Sequence, residues 1–483
     1  MKETCRGRVW KSAAAVGMAA IGAMTLAWTG GNARAYAASD VKAVSHVSAC
    51  ETAETAVREL EITGQPASYE GRIGGHARFT VKAKGGVWAV YQWQYCEPNE
   101  DWKNCAGFGA RGATLTVDMK AEYDGYRFRC VVTDLWGGTQ IISDEAELCC
   151  YLDLNAKNFP DELFREQVRW HADWNDNGRL EGREILGVTS FCMENSFDAP
   201  EEVKIRSIKG IEYFTNVDQI WCGFNALTQI DVSKNTNLVY LSVCGNKLAK
   251  IDVSKNRKLQ MLDVRNNGMK KLDVSKNTEL TSLWCGENKF TSIDVSKNRK
   301  LEEFYCAECA LRSVDLSKNT NLREVEVAFN KLTTLDLRAN TKLEKVYCFG
   351  NKLTTIKFSP KAPIHEIYCY DNELKSLDLS KLTLLENLSC YNNKLTKIDV
   401  RNNPNLIWLD CSWNEIGTLD VSNNTQLTDL LCTYCGLSEL DLSNNGNLHV
   451  LFTYGNPLSE IDLSGCPEIW QLEIDEETTV IGQ

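Results

Sequence analysis

The apolar residues between Val217 and Glu468 recur with a period of 21 residues over twelve consecutive units, without insertion. In the unit that begins at Leu280, apolar side chains occupy positions 1, 4, 6, 11, 14 and 16, counted from that leucine. A strict period of this length is typical of a solenoid, in which each unit forms one coil and apolar rows of successive coils stack into a continuous core. The pattern predicts two short β-strands per coil, with neighbouring coils about 4.8 Å apart.

Two of the predicted interior rows carry unusual residues. Position 6 is cysteine in eight coils, namely Cys222, Cys285, Cys306, Cys348, Cys369, Cys390, Cys411 and Cys432. Because there is one cysteine per coil, and a free cysteine packs as a small apolar side chain, we expect core packing rather than metal binding. Position 9 is asparagine in ten coils, and we expect its amide to pair with backbone groups of the buried turns.

The outward positions of the first-half strand, and of the turn after it, vary between coils and are rich in aromatic residues. The nine that we expect to contact a ligand are Trp284, Tyr305, Tyr347, Tyr368, Tyr370, Tyr391, Trp408, Trp413 and Tyr434. The acids beside them are Glu303, Glu308, Glu324, Glu326 and Glu366. Rows of exposed Tyr and Trp suit recognition of a protein or a glycan, because these side chains provide large contact area at small entropic cost. The alternative is a ladder of rings that only stabilises the sheet.

Residues 62–150 show a different pattern of short, alternating runs separated by Gly, Asn and Asp, which predicts a small β-sandwich. The stretch resembles an immunoglobulin-like domain, in which Trp93 matches the buried tryptophan of the third strand and residues 124–130 match a later turn and strand. Val81 stands about where the cysteine of the second strand would lie. Candidates for a local disulfide are Cys96 and Cys105. We expect this domain to be a spacer, because no polar groups gather between its strands, with ligand binding as the alternative.

Residues 173–184 carry the one specific chemical signature that we find in the sequence, D-x-[DN]-x-[DN]-G-x5-E, the pattern of an EF-hand-like calcium loop. The candidate ligands are Asp173, Asn175, Asn177, the carbonyl of Arg179, Glu181 and Glu184. Residues 160–169 have a helical period, whereas 185–189 predict extended chain, so we expect half an EF-hand at most. Two asparagines among the ligands favour weak, structural Ca2+ binding, with a Kd on the order of 10⁻⁴ to 10⁻³ M. The alternative is an Asx-rich turn that caps the following segment without an ion.

Residues 1–37 predict a secretory signal peptide, with a basic start, an apolar run from Ala13 to Trp28 and a small-residue cleavage site near Ala37. We therefore expect a secreted or cell-surface protein without membrane insertion after cleavage. Lys and Arg total 53 against 65 for Asp and Glu, a net charge of -12, which argues against nucleic acid as a partner. The five histidines are scattered, and the absence of hydrolase or phosphate-loop motifs argues against an enzyme.

The repeat L-x-x-L-x-C-x-x-N-x-L, followed by F-x-x-I-D-V-S-x-N, resembles the leucine-rich repeat. With the calcium-type loop and an irregular first coil before it, the array resembles exported bacterial leucine-rich repeat surface proteins, which implies a recognition or adhesion surface. The expected fold is mainly β, with a leucine-rich repeat solenoid of about twelve coils preceded by the sandwich and a short helix-loop cap. The expected division is signal peptide 1–37, linker 38–61, sandwich 62–150, helix and loop cap 152–190, irregular capping coil 191–216, solenoid 217–468 and C-terminal cap 469–483.

The predicted function is non-catalytic binding of a protein or glycan through the aromatic strand face. One alternative is a structural rod or spacer at the cell surface. A further, less favoured alternative is a carrier of glycan-hydrolysing activity, which needs two carboxyl groups in a pocket. A flat rod lacks the walls that desolvate such a pair.

Overall fold

The computed structural model describes residues 59–107 and 109–482. The predicted signal peptide and most of the predicted linker lie outside the described residues. The prediction of a mainly β protein with a leucine-rich repeat solenoid is confirmed. Within the described residues, no helix has the length and apolar composition required to cross a bilayer.

The N-terminal domain is a sandwich of short strands. These strands are β1 (Glu61–Gly64), β2 (Tyr69–Arg72), β3 (His76–Thr80), β4 (Lys82–Lys84), β5 (Ala89–Cys96), β6 (Lys103–Asn104), β7 (Thr114–Asp118), β8 (Tyr126–Asp134), β9 (Gln140–Ile142) and β10 (Ala146–Asp153). One sheet has the order β10-β8-β5-β6, and β3 pairs with β7 opposite it. Between them Trp93 is fully buried, and the rings of Phe79 and Phe128 stack at 4.7 Å. The kinship of this domain to immunoglobulins stays a prediction.

The predicted disulfide between Cys96 and Cys105 is wrong, because both thiols are free. The N–H of Cys105 donates to the carbonyl of Trp93, so Cys96 lies three residues further along the strand, about 10 Å away. A disulfide requires Cα atoms within about 7 Å of each other. The thiol of Cys96 donates instead to the carbonyl of Glu100 at 2.9 Å.

A short cap connects the sandwich to the solenoid. Its elements are α1 (Glu162–Ala172), β11 (Arg179–Glu181) and α2 (Gly182–Gly187). The carboxylate of Asp161 caps α1 by accepting the N–H of Phe164 at 3.0 Å. The prediction of extended chain after Glu184 is wrong, because Glu181 and Glu184 form a capping box that begins α2. Since β11 pairs with β10, the last strand of the sandwich is joined directly to the cap.

The solenoid is built on one parallel sheet of 14 strands. They are β12 (Ser190–Cys192), β13 (Gln219–Trp221), β14 (Tyr240–Ser242), β15 (Met261–Asp263), β16 (Ser282–Trp284), β17 (Glu303–Tyr305), β18 (Glu324–Glu326), β20 (Lys345–Tyr347), β22 (Glu366–Tyr368), β23 (Asn387–Ser389), β24 (Trp408–Asp410), β25 (Asp429–Leu431), β26 (Val450–Phe452) and β28 (Gln471–Glu473). Successive strands pair in the register of the repeat, so that Leu283 lies beside Phe304.

The prediction of a second strand in every coil is wrong. The described second-half strands are β19 (Thr334–Leu337), β21 (Thr355–Phe358), β27 (Glu460–Asp462) and β29 (Thr479–Ile481). In other coils the second half is closed by a hydrogen bond within the coil. For example, the N–H of Ser296 donates to the carboxylate of Asp294 at 2.9 Å, which forms an Asx turn.

The interior follows the predicted rows. All eight position-6 cysteines are fully buried, as core packing requires. At position 9, the amide of Asn288 donates to the carbonyls of Val264 and Cys285 at 2.9 and 3.2 Å, and its oxygen accepts the N–H of Met269 at 3.0 Å. A second buried asparagine row, not predicted from the sequence, lies at position 19 and comprises Asn235, Asn256, Asn277, Asn298, Asn319, Asn340, Asn403, Asn424 and Asn445. The asparagine that ends each D-V-S-x-N motif in the sequence could have revealed this row.

Candidate recognition surface

Aromatic side chains on the outward positions of the parallel sheet form the first half of the candidate surface. We call this set the strand row, and its members are Trp284, Tyr305, Tyr347, Tyr368 and Trp408. Ring centroids lie 5.6 Å apart for Trp284 and Tyr305, 5.4 Å for Tyr347 and Tyr368, and 6.0 Å for Tyr368 and Trp408. Each ring is half-buried by its neighbours. The structure therefore brings five of the nine predicted ligand residues together along one face.

The second half of the surface lies on the turn after each strand. We call it the turn row, with members Phe329, Phe349, Tyr370, Tyr391, Trp413, Tyr434 and Tyr454. Its rings are closely packed, with centroids 4.3 Å apart for Phe349 and Tyr370 and 4.6 Å for Tyr370 and Tyr391. Four members were predicted as ligand residues. Phe329 and Phe349 were missed, although they occupy the same repeat positions, 8 and 7, as Tyr434 and Tyr370.

The backbone at position 8 is left-handed in all twelve coils, with φ between 48° and 77°. This conformation costs a side-chain-bearing residue roughly 1–2 kcal/mol, and several coils meet it with Gly, Asn or Asp. Four coils instead carry bulky aromatic residues there, namely Phe224, Phe329, Trp413 and Tyr434. Side chains of that size are rarely found in the left-handed region. Local strain of this kind is a reason to examine a position for function.

Glycine on the following coil makes room for these rings. A Cβ added to Gly350 would come within 2.5 Å of the ring of Phe329, and one added to Gly455 would come equally close to Tyr434. Glycine at these two positions therefore leaves room for the rings of Phe329 and Tyr434 against the next coil. Trp413, whose neighbour is Tyr434 rather than glycine, packs on that ring with a centroid distance of 4.3 Å and keeps 56% of its surface exposed.

Two members of the strand row donate hydrogen bonds from their polar tips to carboxylates of the next coil. The indole N–H of Trp284 donates to Glu303 at 3.2 Å, and the hydroxyl of Tyr347 donates to Glu366 at 2.6 Å. Burial raises the pKa of Tyr347 above its usual value, and the hydrogen bond to Glu366 raises it further. The rings of Trp284 and Tyr347 are thus fixed in orientation, and their donor groups are already engaged.

The predicted calcium loop, residues 173–184, lies between α1 and α2. Its backbone has positive φ at Asp176 and Gly178, 54° and 75°, so glycine stands where the loop turns sharply. Asp173 and Glu184 are buried, and burial raises the pKa of Glu184 to about 7. The carboxylate and amide oxygens of this loop are the ligands that Ca2+ prefers.

The side chains of the loop are also satisfied without an ion. Asp173 accepts the N–H groups of Asn177 and Gly178 at 3.0 Å each, and Glu184 accepts the N–H of Glu181 at 3.0 Å. Across residues 59–107 and 109–482, no group of three or more His, Cys, Asp or Glu side chains is arranged to hold a metal ion. The chemistry and the loop backbone fit calcium, and calcium binding stays a prediction.

The sandwich also carries a groove that the sequence analysis did not anticipate. Its volume is about 540 Å³, and Tyr95, Glu97, Lys120, Tyr123 and Tyr126 are among the residues that line it. The rings of Tyr95 and Tyr126 stack at 5.9 Å. Burial, with the nearby charge of Glu97, raises the pKa of Tyr126 to about 12. Polar and aromatic side chains thus meet at this groove, and the role of the sandwich as a spacer stays a prediction.

Comparisons with known proteins agree with the solenoid. No family model matches the chain. The functional domain of InlJ from Listeria monocytogenes, which includes a cysteine ladder, is 31% identical, with a TM-score of 0.64 over 68% of this chain and 71% of that one. The chain belongs to the bacterial leucine-rich repeat proteins. YopM from Yersinia pestis is 19% identical to this leucine-rich repeat protein, with a TM-score of 0.46 over 65% and 93% of the two chains.

One curated relative shares a short segment. Endoglucanase C from Cellulomonas fimi is 37% identical to the leucine-rich repeat protein over 79 residues, which are 16% of this chain. The chain spans about 7% of the length of that relative, so no activity follows from the match. The leucine-rich repeat protein has its own column of buried cysteines, in five successive coils from Cys348 to Cys432.

Proposed function

We propose that this leucine-rich repeat protein is a non-catalytic recognition or adhesion protein, secreted or displayed at the cell surface, that binds a protein partner through the strand row and the turn row. One observation carries the proposal. Large aromatic side chains lie exposed at left-handed backbone positions, as at Phe329 and Trp413. A ladder that served only stability would favour glycine or asparagine there, because these residues avoid the strain.

A protein partner fits this surface better than a glycan does. Sugar hydroxyls require free hydrogen-bonding groups beside the ring on which they stack. In the strand row the donors of Trp284 and Tyr347 are already bound to Glu303 and Glu366. Fixed aromatic rings with satisfied tips offer apolar area without further ordering cost, which suits a protein surface.

The remaining parts support the surface in this proposal. The calcium loop, with Ca2+ held by Asp173, Asn175, Asn177, Arg179, Glu181 and Glu184, stabilises the cap. The sandwich acts as an immunoglobulin-like spacer between the solenoid and the predicted signal peptide. Glu303 and Glu324 lie side by side in register, but on an open face rather than in a pocket, so the proposal assigns them no catalytic role.

The test compares the wild-type protein with two multiple variants on an array of secreted and cell-surface proteins and on a glycan array. The surface variant is Tyr347→Ala, Tyr368→Ala, Tyr391→Ala and Trp408→Ala. The matched control, on exposed positions of the second half-coil, is Thr354→Ala, Lys375→Ala, Lys397→Ala and Thr418→Ala. We expect the surface variant to weaken binding to a captured protein by about 100-fold or more, and the control by less than about 2-fold.

Melting curves of both variants separate loss of binding from loss of folding. The proposal is overturned if the surface variant binds as the wild type does, or if binding occurs on the glycan array alone. It is also overturned if the surface variant unfolds, because the aromatic rows would then be scaffold.

A further inference from the structure

One carboxylate of the strand face differs from the others. Glu326 occupies the second outward position of β18, and the register places Tyr305 on one side of it and Tyr347 on the other. Its side chain is half-buried. Among the described residues, no side chain donates a hydrogen bond to its carboxylate or forms an ion pair with it. The two cations of the face are paired with other carboxylates.

The committed pairs account for both cations of this face. Lys345 pairs with Glu366 at 3.4 Å. Arg265 binds Asp263 through two hydrogen bonds of 3.0 and 2.8 Å. Burial raises the pKa of Glu326 above its usual value, and Arg265 opposes that rise at a distance. A partly desolvated carboxylate between two rings, with no cation of its own, is an incomplete arrangement.

The protein itself shows how such a position is completed. Asp263 and Trp284 lie side by side in register, as Glu326 and Tyr347 do. There the guanidinium of Arg265 pairs with Asp263 and lies 4.7 Å from the centre of the Trp284 ring. A cation is thus held by a carboxylate and an aromatic face together. In the coil of Glu326, the residue equivalent to Arg265 is Ala328, so the protein itself supplies no cation beside Glu326.

We propose that Glu326, flanked by Tyr305 and Tyr347, is the seat for a lysine or arginine side chain of the protein partner. The inference rests on the proposed function and names its partner as a protein with a basic segment. Charge complementarity supports that choice, because acids outnumber bases at the outward positions of this face. The acids are Asp263, Glu287, Glu303, Glu308, Glu324, Glu326, Glu366, Asp371, Asp410 and Asp429, and the bases are Arg265 and Lys345. An acidic partner would be repelled, and a neutral one would leave Glu326 desolvated without compensation.

The experiment selects peptides from a phage-displayed library of random 12-residue sequences on the full-length wild-type protein. The Kd of each retained peptide is then measured on the wild type and on Glu326→Gln, with no selection against the variant. The matched control is Glu439→Gln, which makes the same charge change at an exposed second-half position. We expect the retained peptides to share a Lys or Arg at a fixed position. Their Kd should rise about 10-fold or more in Glu326→Gln and less than about 2-fold in Glu439→Gln.

Two further measurements make the assignment specific. Replacing the shared basic residue of a peptide with norleucine should raise its Kd for the wild type by the same factor as Glu326→Gln does. The replacement should leave the Kd for Glu326→Gln unchanged, as a double-mutant cycle requires if the two groups interact only with each other. Tyr347→Leu, which keeps the carboxylate and removes one ring, should weaken binding about 3-fold.

The cation seat is overturned if no peptide is retained, if the retained peptides lack a shared basic residue, or if they bind Glu326→Gln as tightly as the wild type. The proposed function has a separate readout in the protein array. If the four-alanine surface variant loses its captured protein while Glu326→Gln keeps it, recognition by the aromatic rows stands and the cation seat falls.

Discussion

At the scale of single residues, Trp413 combines a left-handed backbone, φ 56°, with a half-exposed indole. The next residue, Asn414, belongs to the position-9 row, as Asn393 does in the preceding coil. Because position 8 is left-handed in every coil, the strain at Trp413 comes from a turn that all coils share. What differs between coils is the side chain that the turn presents. Packing of the core therefore does not require an aromatic side chain at this position, and the reason for one lies at the surface.

We expect Trp413→Asn to leave stability nearly unchanged while weakening partner binding. Asparagine relieves roughly 1 kcal/mol of backbone strain, whereas loss of the ring packing on Tyr434 costs about 0.5–1.5 kcal/mol. The two effects nearly cancel, so the free energy of unfolding in urea should change by less than about 1 kcal/mol. A loss above about 2 kcal/mol would show that the ring is scaffold.

The buried asparagines should behave in the opposite way. Asn288→Ala removes a carboxamide that satisfies backbone groups of two coils, and we expect a loss of about 2 kcal/mol or more in urea unfolding. The control is Asn405→Ala, at an exposed position, with a change within about 0.5 kcal/mol. Equal effects of the two substitutions would contradict a structural role for the position-9 row.

At the scale of elements, the cap is the place where local sequence was misinterpreted. Residues 185–189 are apolar and partly β-branched, which favours extended chain. The capping box of Glu181 and Glu184 nevertheless begins a helix. It does so because the buried side chain of Glu184 returns to the backbone at the start of α2. The loop is consequently flanked by helices on both sides, which fixes its ends.

If the loop binds calcium with the expected affinity, about 10 mM CaCl2 should stabilise the protein by about 1.4–2.7 kcal/mol relative to EDTA. Glu184→Gln should remove this calcium dependence, and Glu166→Gln, on the exposed face of α1, should keep it. Melting temperatures in CaCl2 and in EDTA measure the difference. Identical curves in both solutions would identify the segment as an Asx-rich turn.

At the scale of the whole molecule, a row of aspartates runs along the solenoid in the second half of its coils. Each accepts the N–H two residues later. The row comprises Asp231, Asp252, Asp273, Asp294, Asp315, Asp336, Asp378, Asp399, Asp420, Asp441 and Asp462. In most coils hydrogen bonds from the following Ser lower the pKa of the aspartate, and Arg338 and Arg401 lower the pKa values of Asp336 and Asp399 to about 2.

These lowered pKa values predict acid sensitivity. A carboxylate whose pKa is lower in the folded state stabilises that state above its unfolded pKa, about 3.9, and the contribution is lost as pH falls through the folded value. The melting temperature should therefore drop steeply between about pH 4 and pH 2. Asp294→Asn, which keeps an acceptor and removes one titration, should reduce the steepness. A melting temperature that stays level or rises over this range would contradict the prediction.

The sequence by itself determined the period, the interior rows and which positions of the coil are aromatic. It did so because a solenoid repeats one local unit, so each interior row, such as the position-6 cysteines, appears as a fixed spacing. Of the nine predicted aromatic residues, five lie at outward positions of the strands and four on the turns after them, as the spacing predicts. The remaining features depend on contacts between residues of different coils, which only the tertiary structure shows. They include the left-handed strain at Trp413, the engagement of ring donors by the next coil, and the isolation of Glu326.

The same distinction explains the errors. Cys96 and Cys105 are close in sequence, but the register of two strands, which no short motif encodes, keeps them apart. The groove at Tyr126 joins residues from several strands of the sandwich. Residues at the same repeat position of successive coils can be recognised as neighbours from the sequence, because the period places them side by side. Residues that no repeat relates become neighbours only through the folded structure, so their contacts cannot be predicted from spacing.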